Sequence, residues 1–173
     1  MGAGKSAIGR RLAARLGLPF VDADQEIEIA AGCTIEDIFE RFGEAEFRKG
    51  EEKVIRRLMR GPKKVLATGG GAYMSRRTRE LIGERGVAVW LRADLDTLLR
   101  RVSRRNDRPL LKGGDARQTL ARLMDERYPV YAQADIVVDS TDGPHEVVVQ
   151  EIVAKLEQYL AKSGAPTSLE AMR

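Results

Sequence analysis

The tripeptide Gly4-Lys5-Ser6, followed at once by a stretch with apolar residues at helical spacing (Ala7 to Leu16), constrains this chain more than any other segment. A glycine turn that opens into a helix aims backbone N–H groups and the positive end of the helix dipole at an anion. Lysine supplies a point charge for β- and γ-phosphates, and the serine hydroxyl is a ligand for Mg²⁺. This is the second half of the phosphate-binding pattern G-x-x-x-x-G-K-S/T. The first glycine of that pattern, and the strand that should deliver the loop, would fall before Met1. Taken alone, the tripeptide favours an ordinary turn-to-helix junction. The rest of the chain has to decide.

Downstream, short apolar runs alternate with helical patterns. Phe20 to Asp22, Val65 to Thr68, Val87 to Leu91 and Ile136 to Asp139 read as strands. Between them lie helical stretches at Gln25 to Ala31, Ile35 to Phe42, Gly43 to Arg60, Ser75 to Glu84, Asp94 to about Arg105, Ala116 to Tyr128 and Glu146 to Leu160. Thr34 with Asp37 resembles a capping box, and Ser75 reads as an N-cap. The alternation predicts a parallel sheet covered by helices on both faces, with ligands gathering at the carboxyl ends of the strands. Asp22, Asp24, Gly69 to Gly71 and the Gly4-Lys5-Ser6 loop all fall there. Three consecutive glycines after a strand permit close approach of a ligand, or simply make a turn.

Composition narrows the chemistry. At 173 residues, 43% hydrophobic and 32% charged, the chain suits one globular domain. No apolar run approaches the ~20 residues of a membrane span and no signal-peptide pattern opens the sequence, so a cytoplasmic protein without membrane contact is expected. One cysteine (Cys33) excludes an internal disulfide, and one histidine (His145) leaves no zinc cluster and no Ser-His-Asp triad, so a metal must be held by oxygen. The formal charge of +4 invites nucleic-acid binding, but the arginines are scattered and aromatics make up 5%, so no nucleic-acid partner is expected.

Taken in order, the half phosphate loop, Asp22-Ala23-Asp24, Phe47-Arg48 with Glu51, Gly69-Gly70-Gly71-Ala72, Arg108-Pro109-Leu110-Leu111 and Arg127-Tyr128-Pro129-Val130-Tyr131 resemble shikimate kinase. The resemblance covers roughly residues 1 to 160. It implies an α/β fold, a three-layer α/β/α P-loop kinase with a central parallel sheet. That sheet has five strands in the family, and the first is missing from this chain. It implies one domain over 1–162, with a substrate-binding subdomain at about 23–60 and a lid at about 106–116. Residues 163–173 read as a disordered tail. The implied activity is transfer of the ATP γ-phosphoryl group to the 3-hydroxyl of shikimate by a monomeric enzyme whose partners are ATP and shikimate, with Mg²⁺.

Carried over residue by residue, the resemblance places Gly2, Ala3, Gly4, Lys5, Ser6 and Ala7 around the ATP phosphates, and Ser6 with Asp22 at Mg²⁺. Arg101 and Pro144 are expected beside adenine, although Ser140-Thr141-Asp142-Gly143 lacks the basic residue that some members carry there. Asp24 is expected to hold the substrate hydroxyls and to act as the base, while Arg48 and Arg127 hold the carboxylate. Gly70 and Gly71 would offer N–H groups, Phe39 and Phe47 would form an apolar wall, and Glu51 would steady Arg48. Arg108 would swing onto the transferring phosphate when the lid closes, making Lys5, Asp24 and Arg108 the catalytic set. Read without the resemblance, Asp22 and Asp24 serve equally as helix N-terminal carboxylates, Phe47 as core, and each arginine as a solvated helix charge.

Two other readings stand beside this one: a different small-molecule P-loop kinase, such as a gluconate kinase, and a non-catalytic kinase-like binding module. The second follows if the chain truly starts at Met1. Loss of a central strand is too large a defect for a marginally stable domain, so Met1 is expected to be an internal methionine of a longer chain or a misassigned start.

Overall fold

The computed structural model describes residues 2–103 and 115–162. Helix α1 (Lys5–Leu16) begins at Gly4, whose φ of 81° is left-handed, and ends at Gly17 (φ 66°), whose N–H reaches back to Ala13 and Ala14. Pro19 then forces an extended exit into β1 (Phe20–Asp22). Gly9 lets α1 lie directly on that strand, since a Cβ there would fall 2.7 Å from the Phe20 ring.

Asp22 caps α2 (Ala23–Ala31), its carboxylate accepting from the Asp24 N–H. The helix therefore starts two residues before the expected Gln25, and Asp22 rather than Asp24 is its cap. The Thr34–Asp37 capping box forms as expected and opens α3 (Ile35–Met59), which breaks only at Gly43 (φ 77°, ψ 171°). The two helices read from the sequence, Ile35 to Phe42 and Gly43 to Arg60, thus meet at a kink where the Gly43 backbone is non-helical. β2 (Val65–Ala67), a 3₁₀ turn at Ala72–Met74 and α4 (Arg76–Arg85), capped by Ser75, follow.

Strand β3 (Val89–Arg92) starts later than the expected Val87, because the Ala88 N–H is taken by the Asp135 carboxylate and pairing begins at the Ala88 carbonyl. α5 (Leu95–Ser103) and α6 (Ala116–Tyr131) come next, then β4 (Ile136–Asp139) and α7 (His145–Lys162). Helix α6 runs past the expected Tyr128 and takes Pro129 into its last turn. The lid segment with Arg108 and the tail 163–173 lie outside the described residues, apart from the start of α6.

All strands are parallel, but they form two pairs rather than one sheet. β1 pairs with β2 (Phe20 opposite Val65, Asp22 opposite Ala67), and β3 pairs with β4 (Val89 opposite Ile136, Arg92 opposite Asp139). Among the described residues no ladder joins the pairs. Accordingly Val89, Trp90 and Leu91 of β3 are only half-buried, whereas Ile136 and Val138 of β4 are fully covered by α7.

Helix α1 spans the division, packing on β1 and β2 on one side and α7 on the other. The main core joins Ile8, Leu12 and Leu16 of α1 to Val149, Ile152 and Leu156 of α7. A second cluster, Ile27, Ile38, Phe47 and Val54, glues α2 to α3, and a third, Ala93, Leu98 and Leu120, joins α5 to α6 beneath Ala3. Among the described residues no helix is long and apolar enough to cross a membrane.

Candidate active site

The carboxyl ends of β1 and β2 and the start of α1 converge on one cleft wall. Left-handed Gly2 (φ 72°) and Gly4 turn the loop over α5, with Gly2 packed against Leu98 and Val102. The loop ends in the N-terminus of α1, where Lys5 and Ser6 stand with Ala7 in the first turn. A helix start has N–H groups without carbonyl partners, which is the donor array a polyphosphate needs.

The Ser6 hydroxyl donates to Asp22 Oδ2 at 2.9 Å, so the two residues expected at the metal are in direct contact. Both present oxygen, and the pair is partly open to solvent. That suits an ion that keeps several waters and takes its remaining ligands from phosphate. No cluster of three or more His, Cys, Asp or Glu fit for a metal exists among the described residues, so a fully protein-built cage is not what this site offers.

The triple glycine after β2 is a surface against which the site's side chains press. A Cβ on Gly69 would lie 3.0 Å from both Asp24 Oδ1 and Glu51 Oε1. On Gly70 it would lie 2.9 Å from the Tyr131 hydroxyl and 3.4 Å from Arg127, and on Gly71 it would collide with Arg48. Asp24, Arg48, Arg127 and Glu51, which come from α2, α3 and α6, therefore meet at one turn. Larger residues there would push the turn and these groups apart.

Arg48 is fixed by ion pairs to Glu51 Oε2 (2.7 Å) and Glu44 Oε1 (3.0 Å), and its guanidinium lies 4.9 Å from the Phe47 ring centre. Phe47 and Phe39 stack with centroids 4.7 Å apart. Phe47 is buried in the α2–α3 cluster and Phe39 lies at its edge, so the apolar wall is also core.

Glu51 is 3% exposed, and its Oε1 has no hydrogen-bond partner. Burial pushes its carboxyl above the usual range, with Asp24 adding to the effect and Arg48 and Arg127 opposing it. An unsatisfied buried carboxylate oxygen facing the glycine turn is an acceptor waiting for a donor.

Around the residues expected beside adenine, Arg101 of α5 donates to the Gly2 carbonyl (3.3 Å), the Ser140 hydroxyl (3.0 Å) and the Thr141 carbonyl, and pairs with Asp142 (3.4 Å). Ser140, 2% exposed, donates a hydrogen bond to the Ala3 carbonyl at 3.0 Å. The loop after β4 is thereby tied to the phosphate loop through Arg101, with Pro144 just ahead of α7. Asp142, in the run that lacks a basic residue, holds both Arg100 (2.5 Å) and Arg101.

Ser140 and Tyr131 stand within segments the sequence marks out, but neither carries a role there. A serine just past a strand and a tyrosine one helical turn after Arg127 are the only signals the sequence carries for them. Arg108 lies outside the described residues, so its approach to the phosphates is not part of this geometry.

The shikimate kinase family model matches residues 1–157. The shikimate kinase of Rhodopseudomonas palustris is 60% identical over 160 residues, covering 92% of this chain and 79% of that protein. The solved structure of a shikimate kinase from Acinetobacter baumannii in complex with shikimate superposes with a TM-score of 0.86 at 39% identity, covering 94% of this chain and 89% of that one. A gluconokinase from Sinorhizobium meliloti shares the fold at a TM-score of 0.59 and 18% identity, covering 95% and 91%. The much stronger match to shikimate kinases removes the gluconate-kinase reading as a competitor for the family. With a P-loop kinase architecture and this breadth of match, the chain belongs to the shikimate kinase family.

Proposed function

We propose that this protein transfers the γ-phosphoryl group of ATP to the 3-hydroxyl of shikimate, giving shikimate 3-phosphate and ADP. The observation that carries the reading is the convergence of Asp24, Arg48 and Arg127 on the glycine turn 69–71, on the same side of β1 and β2 as the Ser6–Asp22 pair. Two arginines from different helices suit the planar carboxylate of shikimate, because a guanidinium fork binds such a group bidentately. Asp24 and the backbone of Gly70 and Gly71 then meet the ring hydroxyls, with Phe39 and Phe47 behind.

Lys5 and the N–H groups of Gly2, Ala3, Gly4, Ser6 and Ala7 cradle the phosphates. Ser6 and Asp22 would hold Mg²⁺, which would supply neutralisation of the charge on the phosphate oxygens. The acceptor oxygen attacks the γ-phosphorus, the bond to the β-bridging oxygen breaks, and Asp24 takes the hydroxyl proton. Arg101 and Pro144 border the adenine. Arg108 adds positive charge to the transferring group.

A coupled ADP-release assay with shikimate and with gluconate tests the reading. Shikimate-dependent turnover should fall at least about a hundredfold in Lys5→Ala and in Asp24→Asn, with folding retained. Near-parental rates in both variants would sink the assignment. Tight binding of ATP and shikimate without turnover in the parent would favour the non-catalytic module instead.

A further inference from the structure

The last turn of α6 carries two tyrosines that do different things. Tyr128 points toward β3, donates to the Ala93 carbonyl and packs edge-on against Trp90 with centroids 4.9 Å apart. Tyr131 falls four residues after Arg127, on the same helix face. Its hydroxyl donates to the Gly70 carbonyl at 2.5 Å, and a Cβ built on Gly70 would lie 2.9 Å from that hydroxyl and 3.4 Å from Arg127 Nη1, so tyrosine and arginine border one space over the turn. The Tyr131 ring is held independently by three aromatic neighbours, Tyr73 (6.3 Å), Trp90 (5.9 Å) and Tyr128 (6.3 Å).

We infer that Tyr131 is a positioning residue for the acceptor substrate, its hydroxyl locking the Arg127 guanidinium to the Gly70 backbone so that carboxylate clamp and glycine turn move as one. The inference rests on the reading of Arg127 and Gly70 as substrate-binding groups. Three features support it beyond this placement. Arginine has many rotamers and gains precision only when something fixes its fork. In Arg48 that is done by Glu51 and Glu44, whereas among the described residues no ion pair holds Arg127, and the tyrosine stands in their place. Secondly, a phenol donating to a carbonyl orients the Gly70 peptide, which sets the direction of the next N–H in the turn, that of Gly71. Finally, burial holds the phenol above its ordinary range, against the pull of Arg127, so the hydroxyl remains a donor at neutral pH.

Calorimetric titration of shikimate, and separately of Mg·ADP, into the parent, Tyr131→Phe, Tyr128→Phe, Arg127→Ala and the Tyr131→Phe/Arg127→Ala double variant tests this. Tyr131→Phe should weaken shikimate by about tenfold and leave Mg·ADP within about twofold, while Tyr128→Phe, the same deletion three residues earlier, should change neither. In the Arg127→Ala background the tyrosine change should cost nothing further, because the hydroxyl acts through the guanidinium.

Parental shikimate affinity in Tyr131→Phe, equal losses for both ligands, or full additivity in the double variant would overturn the inference. A parent that binds Mg·ADP but not shikimate overturns the functional reading and the tyrosine role with it. A parent that binds both, with an indifferent Tyr131→Phe, overturns the tyrosine role alone. Should Tyr131→Phe melt too low to titrate, Gly70→Ala presses a methyl against the same hydroxyl (2.9 Å) and must show the same shikimate-selective loss for the inference to stand.

Discussion

Arg48 and Gly71 share one space: a Cβ built on Gly71 falls 2.3 Å from the Arg48 guanidinium carbon. The backbone at Gly71 is ordinary right-handed (φ −74°), so the glycine is required by its neighbour rather than by its own conformation. Gly71→Ala should therefore fold, displace the arginine, and raise the KM for shikimate by about tenfold or more with little effect on the KM for ATP. In contrast, Gly83 lies in α4 with nothing within 4 Å of a built Cβ. Gly83→Ala should stabilise the fold by about 0.5–1 kcal/mol and leave both constants alone. Steady-state kinetics and urea melts on the two variants check the contrast.

Glu51 predicts a pH dependence whose sign is fixed by the direction of its shift. Its folded-state pKa is raised above the ordinary glutamate value, chiefly by burial, so the folded state binds its proton more tightly than the unfolded state does. The contribution is most favourable below the unfolded value and is lost as pH rises through the raised folded value. Glu51→Gln does not titrate. The stability of the parent minus that of the variant, from urea melts between pH 4 and about 8, should fall as pH rises through this window, and a flat difference curve would contradict it.

Ser140 joins two chain segments 137 residues apart, donating to Ala3 and accepting from Arg101. Removing its hydroxyl leaves a buried carbonyl and a guanidinium N–H short of a partner, which costs about 1–3 kcal/mol. Because both groups border the phosphate loop, Ser140→Ala should also raise the KM for ATP more than that for shikimate. Equal changes in the two would make the serine a purely structural tie.

The contact between Ser6 and Asp22 predicts how metal and nucleotide depend on each other. Asp22→Asn keeps an acceptor for the Ser6 hydroxyl but removes the negative charge. It should raise the Mg²⁺ concentration needed for half-maximal turnover about tenfold or more, and abolish little of the thermal stability measured without nucleotide. Chelation of Mg²⁺ in the parent should stop turnover while leaving the melting temperature of the nucleotide-free protein unchanged.

How far the sequence was legible depended on the range over which each feature is decided. The capping box at Thr34, the Gly17 and Gly32 helix ends and the four strand runs are local, and they form where periodicity and turn chemistry put them. Asp22 and the glycine turn 69–71 follow from topology, since parallel strands deliver their carboxyl ends to one edge. Strand limits shifted by a residue or two where a side chain such as Asp135 captured a backbone N–H.

Tyr131 with Gly70, 61 residues apart, and Ser140 with Arg101, 39 apart, depend on how α6 and α5 are rotated against the sheet. No local pattern encodes such a rotation. The break at Gly43, by contrast, is local: a glycine between two helical patterns takes the left-handed backbone that separates them.

The division of the strands into two pairs gives α1 a second duty. Its buried face bridges β2 on one side and α7 on the other, while its first turn carries the Gly4-Lys5-Ser6 loop. A polyphosphate drawn onto that turn therefore grips the beam that spans both halves of the molecule. Occupancy and architecture are then coupled through one helix: amide protons of β1–β2 and of β3–β4 should slow their exchange together when nucleotide is added, although no strand ladder carries the message between them.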